Sequence, residues 1–271
     1  MNYLQVEFSF LQKNEKDILI ALLIEASFES FEEDENSLKA FIKEKEFDET
    51  LLANIIKKVP VNYLTSVIPQ QNWNAQWESS FEPIIINNFA GIRAGFHQPL
   101  KNVSYQIIIT PKMSFGTGHH ATTFMMVEQM EALDFKNKTV LDFGTGTAVL
   151  AILAEKMGAA CVDAIDYDEW SIENSKENAA INKCSKINLI KADTIAVNKV
   201  YDIILANINL NVIKENLTAI NSSAANESLI LLSGFLKTDE AEMKDALVQH
   251  GLYLLNIKQK ADWLCMLAKK M

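Results

Sequence analysis

Val140-Leu141-Asp142-Phe143-Gly144-Thr145-Gly146-Thr147-Ala148 is the stretch on which the fold turns. An apolar, strand-length run from Thr139 to Phe143 enters a turn with two glycines and continues into a helix-forming run, Val149 to Met157. Lacking Cβ atoms, Gly144 and Gly146 let a ligand approach the main chain at the carboxyl end of a first strand, where doubly wound α/β sheets bind nucleotides. The turn excludes two common alternatives. A dinucleotide fingerprint of the form G-x-G-x-x-G/A needs a small residue where Val149 stands, and a phosphate-cradling loop needs Gly-Lys-Ser/Thr after the turn, which is absent.

Outward from this turn, apolar runs alternate with amphipathic helices: Cys161 to Ile165, Ile187 to Lys191, Ile203 to Ala206 and Ser228 to Ser233 read as strands of a parallel sheet covered on both faces. Thr238 to His250 reads as a helix closed by Gly251. Two strands, Leu252 to Lys258 and Trp263 to Ala268, then follow with no helix between them, so the hairpin predicts one antiparallel strand inserted into an otherwise parallel sheet. These elements form an α/β domain over residues 105–271. Residues 1–65 read strand (Asn2 to Phe10), helix (Glu15 to Ser27), strand (Ser27 to Glu33), helix (Asp48 to Lys58), strand (Asn62 to Ile68). That pattern predicts a small α+β layer. A further strand near Phe41 would complete a ferredoxin-like βαββαβ unit. Between the two parts, residues 66–104 hold Trp73, Trp77 and Phe81-Glu82-Pro83, and read as a linker that docks, since tryptophans on a bare tether would sit unfavourably in water.

Three polar residues fall at strand ends on the glycine-turn side. Asp166 follows the second strand about 20 residues beyond the turn, where a carboxylate accepts ribose hydroxyls. Asp193 follows the next strand and suits either contact with an adenine amino group or capping of its own turn. Asn207 ends the strand Ile203 to Ala206, where its amide can hold a target amine or serve a strand-end turn. Gly144 and Gly146, with Ala148 in third place, resemble the G-x-G-x-G pattern of methyltransferases that use S-adenosylmethionine (SAM).

Lys+Arg number 25 and Asp+Glu 35, a formal charge of −10 over 271 residues, which opposes DNA binding and suits a basic protein partner. Cys161, Cys184 and Cys265 are widely spaced with no CxxC pair, which predicts a reducing compartment, the cytoplasm, and no structural zinc. The start, MNYLQVEFSF, alternates like a strand and lacks the basic head and apolar run of a secretion signal. The apolar runs are strand-sized, well short of the ~20 residues that span a bilayer, so no membrane association is expected. His119 and His120 are adjacent with no cysteine partner nearby, and predict no metal site.

Met113-Ser114-Phe115-Gly116-Thr117-Gly118-His119-His120-Ala121-Thr122-Thr123 resembles the signature of the bacterial ribosomal protein L11 methyltransferase family. The likeness continues in order through Asp142 to Gly146, Ala164-Ile165-Asp166, Ala206-Asn207-Ile208 and Leu232-Ser233-Gly234-Phe235, and takes in Asn72-Trp73, Trp77 and Phe81-Glu82-Pro83. The resemblance implies a Rossmann-like seven-stranded methyltransferase sheet behind a small amino-terminal α+β domain that recognises substrate. It implies SAM as cofactor, with contacts at Thr123, Gly144, Asp166 and Asn207 and a loop at Gly116 to Gly118 over it. It also implies methylation of lysine amines, and of an amino terminus, on ribosomal protein L11. The competing expectations are a SAM-dependent methyltransferase of another protein or small amine, and a nucleotide-binding module without catalysis.

Overall fold

A computed structural model describes residues 3–9, 13–34, 37–68, 81–111, 116–196 and 199–271. Trp73 and Trp77, on which the docking expectation rests, and Met113-Ser114-Phe115 lie outside the described residues. The chain divides into two compact units, Met1–Ser80 and Phe81–Met271.

In the first unit, β1 (Tyr3–Ser9), α1 (Lys13–Glu25), β2 (Ser30–Glu33), β3 (Ser37–Lys43), α2 (Glu49–Lys58) and β4 (Asn62–Ile68) follow the ferredoxin-like order. The antiparallel sheet runs β2-β3-β1-β4, so β3 is the strand anticipated near Phe41. Strict alternation builds it. Leu4, Val6 and Phe8 of β1 and Leu38, Ala40 and Ile42 of β3 are buried against Leu19, Leu23, Leu52 and Ile55 of the helices, while the residues between them face outward. Asp48 starts α2 by accepting from the backbone N–H groups of Thr50 (2.8 Å) and Leu51 (3.2 Å).

The second unit opens with a three-stranded sheet, β5 (Ile84–Ile86), β6 (Ala90–Ala94) and β7 (Tyr105–Ile109), and continues through α3 (Ala121–Met130), β8 (Thr139–Phe143), α4 (Val149–Lys156), β9 (Cys161–Asp166), α5 (Glu169–Ile181), β10 (Ile187–Lys191), β11 (Tyr201–Asn207), α6 (Leu210–Ser223), β12 (Ala224–Leu236), α7 (Glu240–Gln249), β13 (Leu252–Lys260) and β14 (Trp263–Lys270). The main sheet has seven strands in the order β10-β9-β8-β11-β12-β14-β13. Only β14 breaks the parallel rule, lying antiparallel to both β12 and β13, as the closing hairpin predicted. Both faces are covered. Ile203 and Leu205 of β11 join the core under α3 and α4, and Ile204 and Ala206 join the core under α6 and α7. The helix expected from Thr238 begins two residues later as α7, after a 3-10 turn over Lys237–Asp239. Among the described residues no helix is long and apolar enough to cross a membrane.

Candidate active site

The carboxyl ends of β8, β9, β10 and β11 open into one cavity of about 800 Å³. Gly144, Gly146, Asp166, Asp193 and Asn207 all line it. Adjacent register places Phe143 of β8 beside Ala206 of β11 and Ile165 of β9, which brings the following residues to the same edge.

The glycine turn is held from beneath. The N–H groups of Gly144 (2.8 Å) and Thr145 (2.9 Å) both donate to the carbonyl of Ile165, tying the turn to β9. On α5, the Ser175 hydroxyl donates to the Gly146 carbonyl (2.7 Å) and the Asn178 amide to the Thr147 carbonyl (2.9 Å). These bonds occupy both carbonyls and tie the turn to α5. Gly144 and Gly146 take positive φ of 77° and 56°, and Ala148, at the third position of the pattern, also adopts a left-handed φ of 62°. The fully buried Ala148 methyl keeps a turn that glycine would form with less strain.

Asp166 ends β9 and is buried. Its Oδ2 accepts from the Gly146 N–H (2.9 Å) and its Oδ1 from the Asp168 N–H (3.1 Å), which fixes the carboxylate and leaves lone pairs on each oxygen for a ligand. Asp193 is exposed at the cavity wall after β10. Asn207 is buried at the end of β11, and its Nδ2 donates to the Thr123 hydroxyl (3.1 Å). Its Oδ1 is buried and has no hydrogen-bond partner among the described residues. Thr123 itself is fully buried on α3 and stands behind Asn207 rather than on the cavity wall, which Thr122 and His120 reach instead. His120 caps α3, its Nδ1 lying 2.8 Å from the Thr122 hydroxyl, and its ring meets Trp263 edge-on at 4.6 Å. Of the Gly116 to Gly118 loop, the carbonyl of Gly116 accepts from the Thr147 hydroxyl (2.8 Å), which hooks the loop to the glycine turn.

Ile208, quoted in the sequence only as a neighbour of Asn207, has a packing role of its own. A Cβ on Gly144 would stand 2.1 Å from Ile208 Cγ2, and a Cβ on Gly234 2.1 Å from the Ile208 carbonyl oxygen. The chain leaving β11 therefore passes between two glycines, from strands on either side of it. No local pattern reveals such a crossing, because the partners are far apart in sequence.

The charge of the lining is one-sided. Asp166, Asp168, Asp193 and Glu215 contribute carboxylates, and no lysine or arginine is among the described lining residues. That field favours cations and opposes phosphates. Behind the turn, Asp142 is buried and accepts from the Thr145 hydroxyl (2.7 Å) and the Ala151 N–H (3.2 Å). Burial pushes its carboxyl from 3.8 up to about 7, against the lowering effect of those two hydrogen bonds and with a further upward push from Asp166. A carboxyl whose folded value is raised keeps its proton in the folded state over the window between the two values. Stability from this group is thus complete below pH 3.8 and is lost as pH rises toward about 7. Asp142→Asn is expected to remove this dependence. In urea titrations from pH 4 to pH 8, wild type should lose a few kcal/mol more than the variant. Parallel curves would contradict the protonated assignment.

A seven-stranded sheet with an inserted antiparallel strand, opening at its carboxyl edge into an acidic cavity floored by a glycine turn, defines a Rossmann-like methyltransferase that uses SAM. Comparison with known proteins narrows the class. A family model described as Ribosomal protein L11 methyltransferase (PrmA) matches residues 6–271. The Ribosomal protein L11 methyltransferase of Phocaeicola vulgatus is 36% identical over 273 residues, covering 97% of each chain, and that of Porphyromonas gingivalis is 37% identical over 255 residues, covering 91% of this chain and 88% of that one. The crystal structure of ribosomal protein L11 methylase from Lactobacillus delbrueckii subsp. bulgaricus superposes with a TM-score of 0.66 at 26% identity, over 70% of this chain and 100% of that one. The chain belongs to the ribosomal protein L11 methyltransferase family.

Proposed function

We propose that this chain is a cytoplasmic enzyme that transfers methyl groups from SAM to lysine amines, and to an amino-terminal amine, of ribosomal protein L11. The observation that carries this reading is the meeting of Gly144, Asp166 and Asn207 around one cavity. The residues fit the cofactor. The turn at Gly144 and Gly146 leaves room against the main chain, the free lone pairs of Asp166 suit two ribose hydroxyls, and Asp193 on the cavity wall suits the adenine amino group.

SAM supplies an electrophilic methyl on a sulfonium. Asn207 would hold the target amine through its amide, while Thr123, by accepting from Nδ2, keeps that amide from rotating. A lysine amine, with an ordinary pKa of about 10.4, arrives protonated and must release that proton to water before it can react. The N-terminus of α6, which starts just beyond Asn207, assists: its partial positive charge disfavours an ammonium at that point. Alignment then contributes several kcal/mol without a strong base.

Residues 1–80 carry twice as many acidic as basic side chains, which suits a basic partner surface, and we assign L11 recognition to this unit. The same acidity opposes binding to DNA, and no part of the reading calls for a membrane. Incubation with methyl-labelled SAM and the purified large-subunit proteins tests the substrate. Label should appear in L11, with mass analysis giving methylated lysines. Label confined to another protein, or to none, would overturn the assignment.

A further inference from the structure

We infer that the carboxylate of Glu215 recognises the cationic form of the target amine at the mouth of the cavity, and so makes the enzyme selective for ammonium side chains at every round of methylation. This deepens the methyltransferase reading of the same cavity and rests on it.

Three carboxylates of the lining, Asp166, Asp168 and Asp193, follow β9 and β10. Of these, Asp166 is bonded to the turn, and Asp168 caps α5 by accepting from the backbone N–H groups of Trp170 and Ser171. Glu215 stands apart on α6, the helix that begins directly after Asn207. Val212, Glu215 and Asn216 recur at helical spacing and line the cavity together, so one face of α6 forms its wall on the side of the reacting amine. Along that face Glu215 is the sole charge. Asn216 turns its amide back to the Val212 carbonyl (2.9 Å), and the adjacent Lys214 is engaged by Glu242. Glu215 is exposed and makes no hydrogen bond or ion pair with the described residues. An unpaired carboxylate on an otherwise uncharged wall attracts a cation at little desolvation cost.

Its position along the helix gives that attraction a direction. Glu215 lies roughly 9 Å along the axis from the Asn209 cap. The ammonium is thus attracted at the mouth, and meets the positive end of α6 only near Asn207, where the neutral amine is needed. Trp263 and His120 add an aromatic wall to the same cavity, a surface that holds methylated ammonium ions well. Each transfer to a neutral amine yields a methylated ammonium ion, so one carboxylate serves each successive round.

The test uses the full chain saturated with S-adenosylhomocysteine, titrated with choline and with its uncharged carbon isostere, dimethylbutanol, and followed by NMR. Wild type should prefer choline. Glu215→Gln should weaken choline about tenfold and leave the isostere unchanged, and Glu215→Lys should exclude choline. Initial rates with purified L11 form a second arm, in which KM for L11 should rise about tenfold in Glu215→Gln with KM for SAM unchanged. Equal choline affinity in wild type and both variants would overturn the inference. Failure of wild type to label L11 would sink only the substrate assignment, and the choline comparison would still decide the role of Glu215.

Discussion

Gly234→Ala should destabilise the second unit by about 3 kcal/mol and weaken binding of S-adenosylhomocysteine at least tenfold. The new Cβ would sit 2.1 Å from the Ile208 carbonyl oxygen and 2.6 Å from its carbon, at a φ of 102° that a side chain disfavours. The obstacle is the main chain of Ile208, so no rotamer relieves it. Relief requires moving the segment after β11, and with it Asn207 and the cap of α6. Gly95→Ala is the matched control, because its Cβ would meet nothing within 4 Å. It should fall within about 0.5 kcal/mol of wild type. Thermal melts and calorimetry on both variants check this, and a Gly234→Ala protein as stable as Gly95→Ala would contradict the packing described.

A protein beginning at Phe81 should bind S-adenosylhomocysteine within about twofold of the full chain and yet transfer methyl to L11 at less than about one hundredth of its rate. Every described residue around the cavity belongs to the second unit, which has its own cores on both faces of its sheet. The first unit has a separate core and carries the stronger acidic bias. Equal transfer by the shortened protein would place L11 recognition on the second unit instead.

Much of this fold is legible because strong local rules agree with it. The run Thr139 to Phe143 before two glycines gives β8 with its bounds, and the strand pair after Gly251 gives the antiparallel insertion. β3 can be anticipated near Phe41 because the alternation in Ser37–Lys43 completes a known unit. β6 cannot. In Ala90-Gly91-Ile92-Arg93-Ala94 all five residues are buried, so no polar residue marks an outer face, and the single buried arginine reads as exposed chain. Arg93 is accommodated by donating to the carbonyls of Ala94 (2.8 Å) and His97 (2.9 Å), contacts that composition does not foretell.

The site divides the same way. Gly144, Gly146, Asp166, Asp193 and Asn207 are legible because strand ends of a parallel sheet share an edge, so position in each strand predicts a common location. Thr123 has a contact that its motif alone does not describe: a bond to Asn207 across 84 positions of chain. The tertiary placement of Ile208, Gly234, Trp263 and Glu215 is illegible for a related reason. Their roles arise from a crossing of backbones and from which face of α6 turns inward, both set by tertiary packing.

The central claim is that Gly144, Asp166 and Asn207 frame a pocket for the adenosyl cofactor. Calorimetric titration of S-adenosylhomocysteine into wild type and Asp166→Ala measures it most directly. The account predicts a loss of about 1.5 to 3 kcal/mol from the missing charged hydrogen bonds. An affinity unchanged by the substitution would show that the ribose is held elsewhere, and the cavity would lose its assigned ligand.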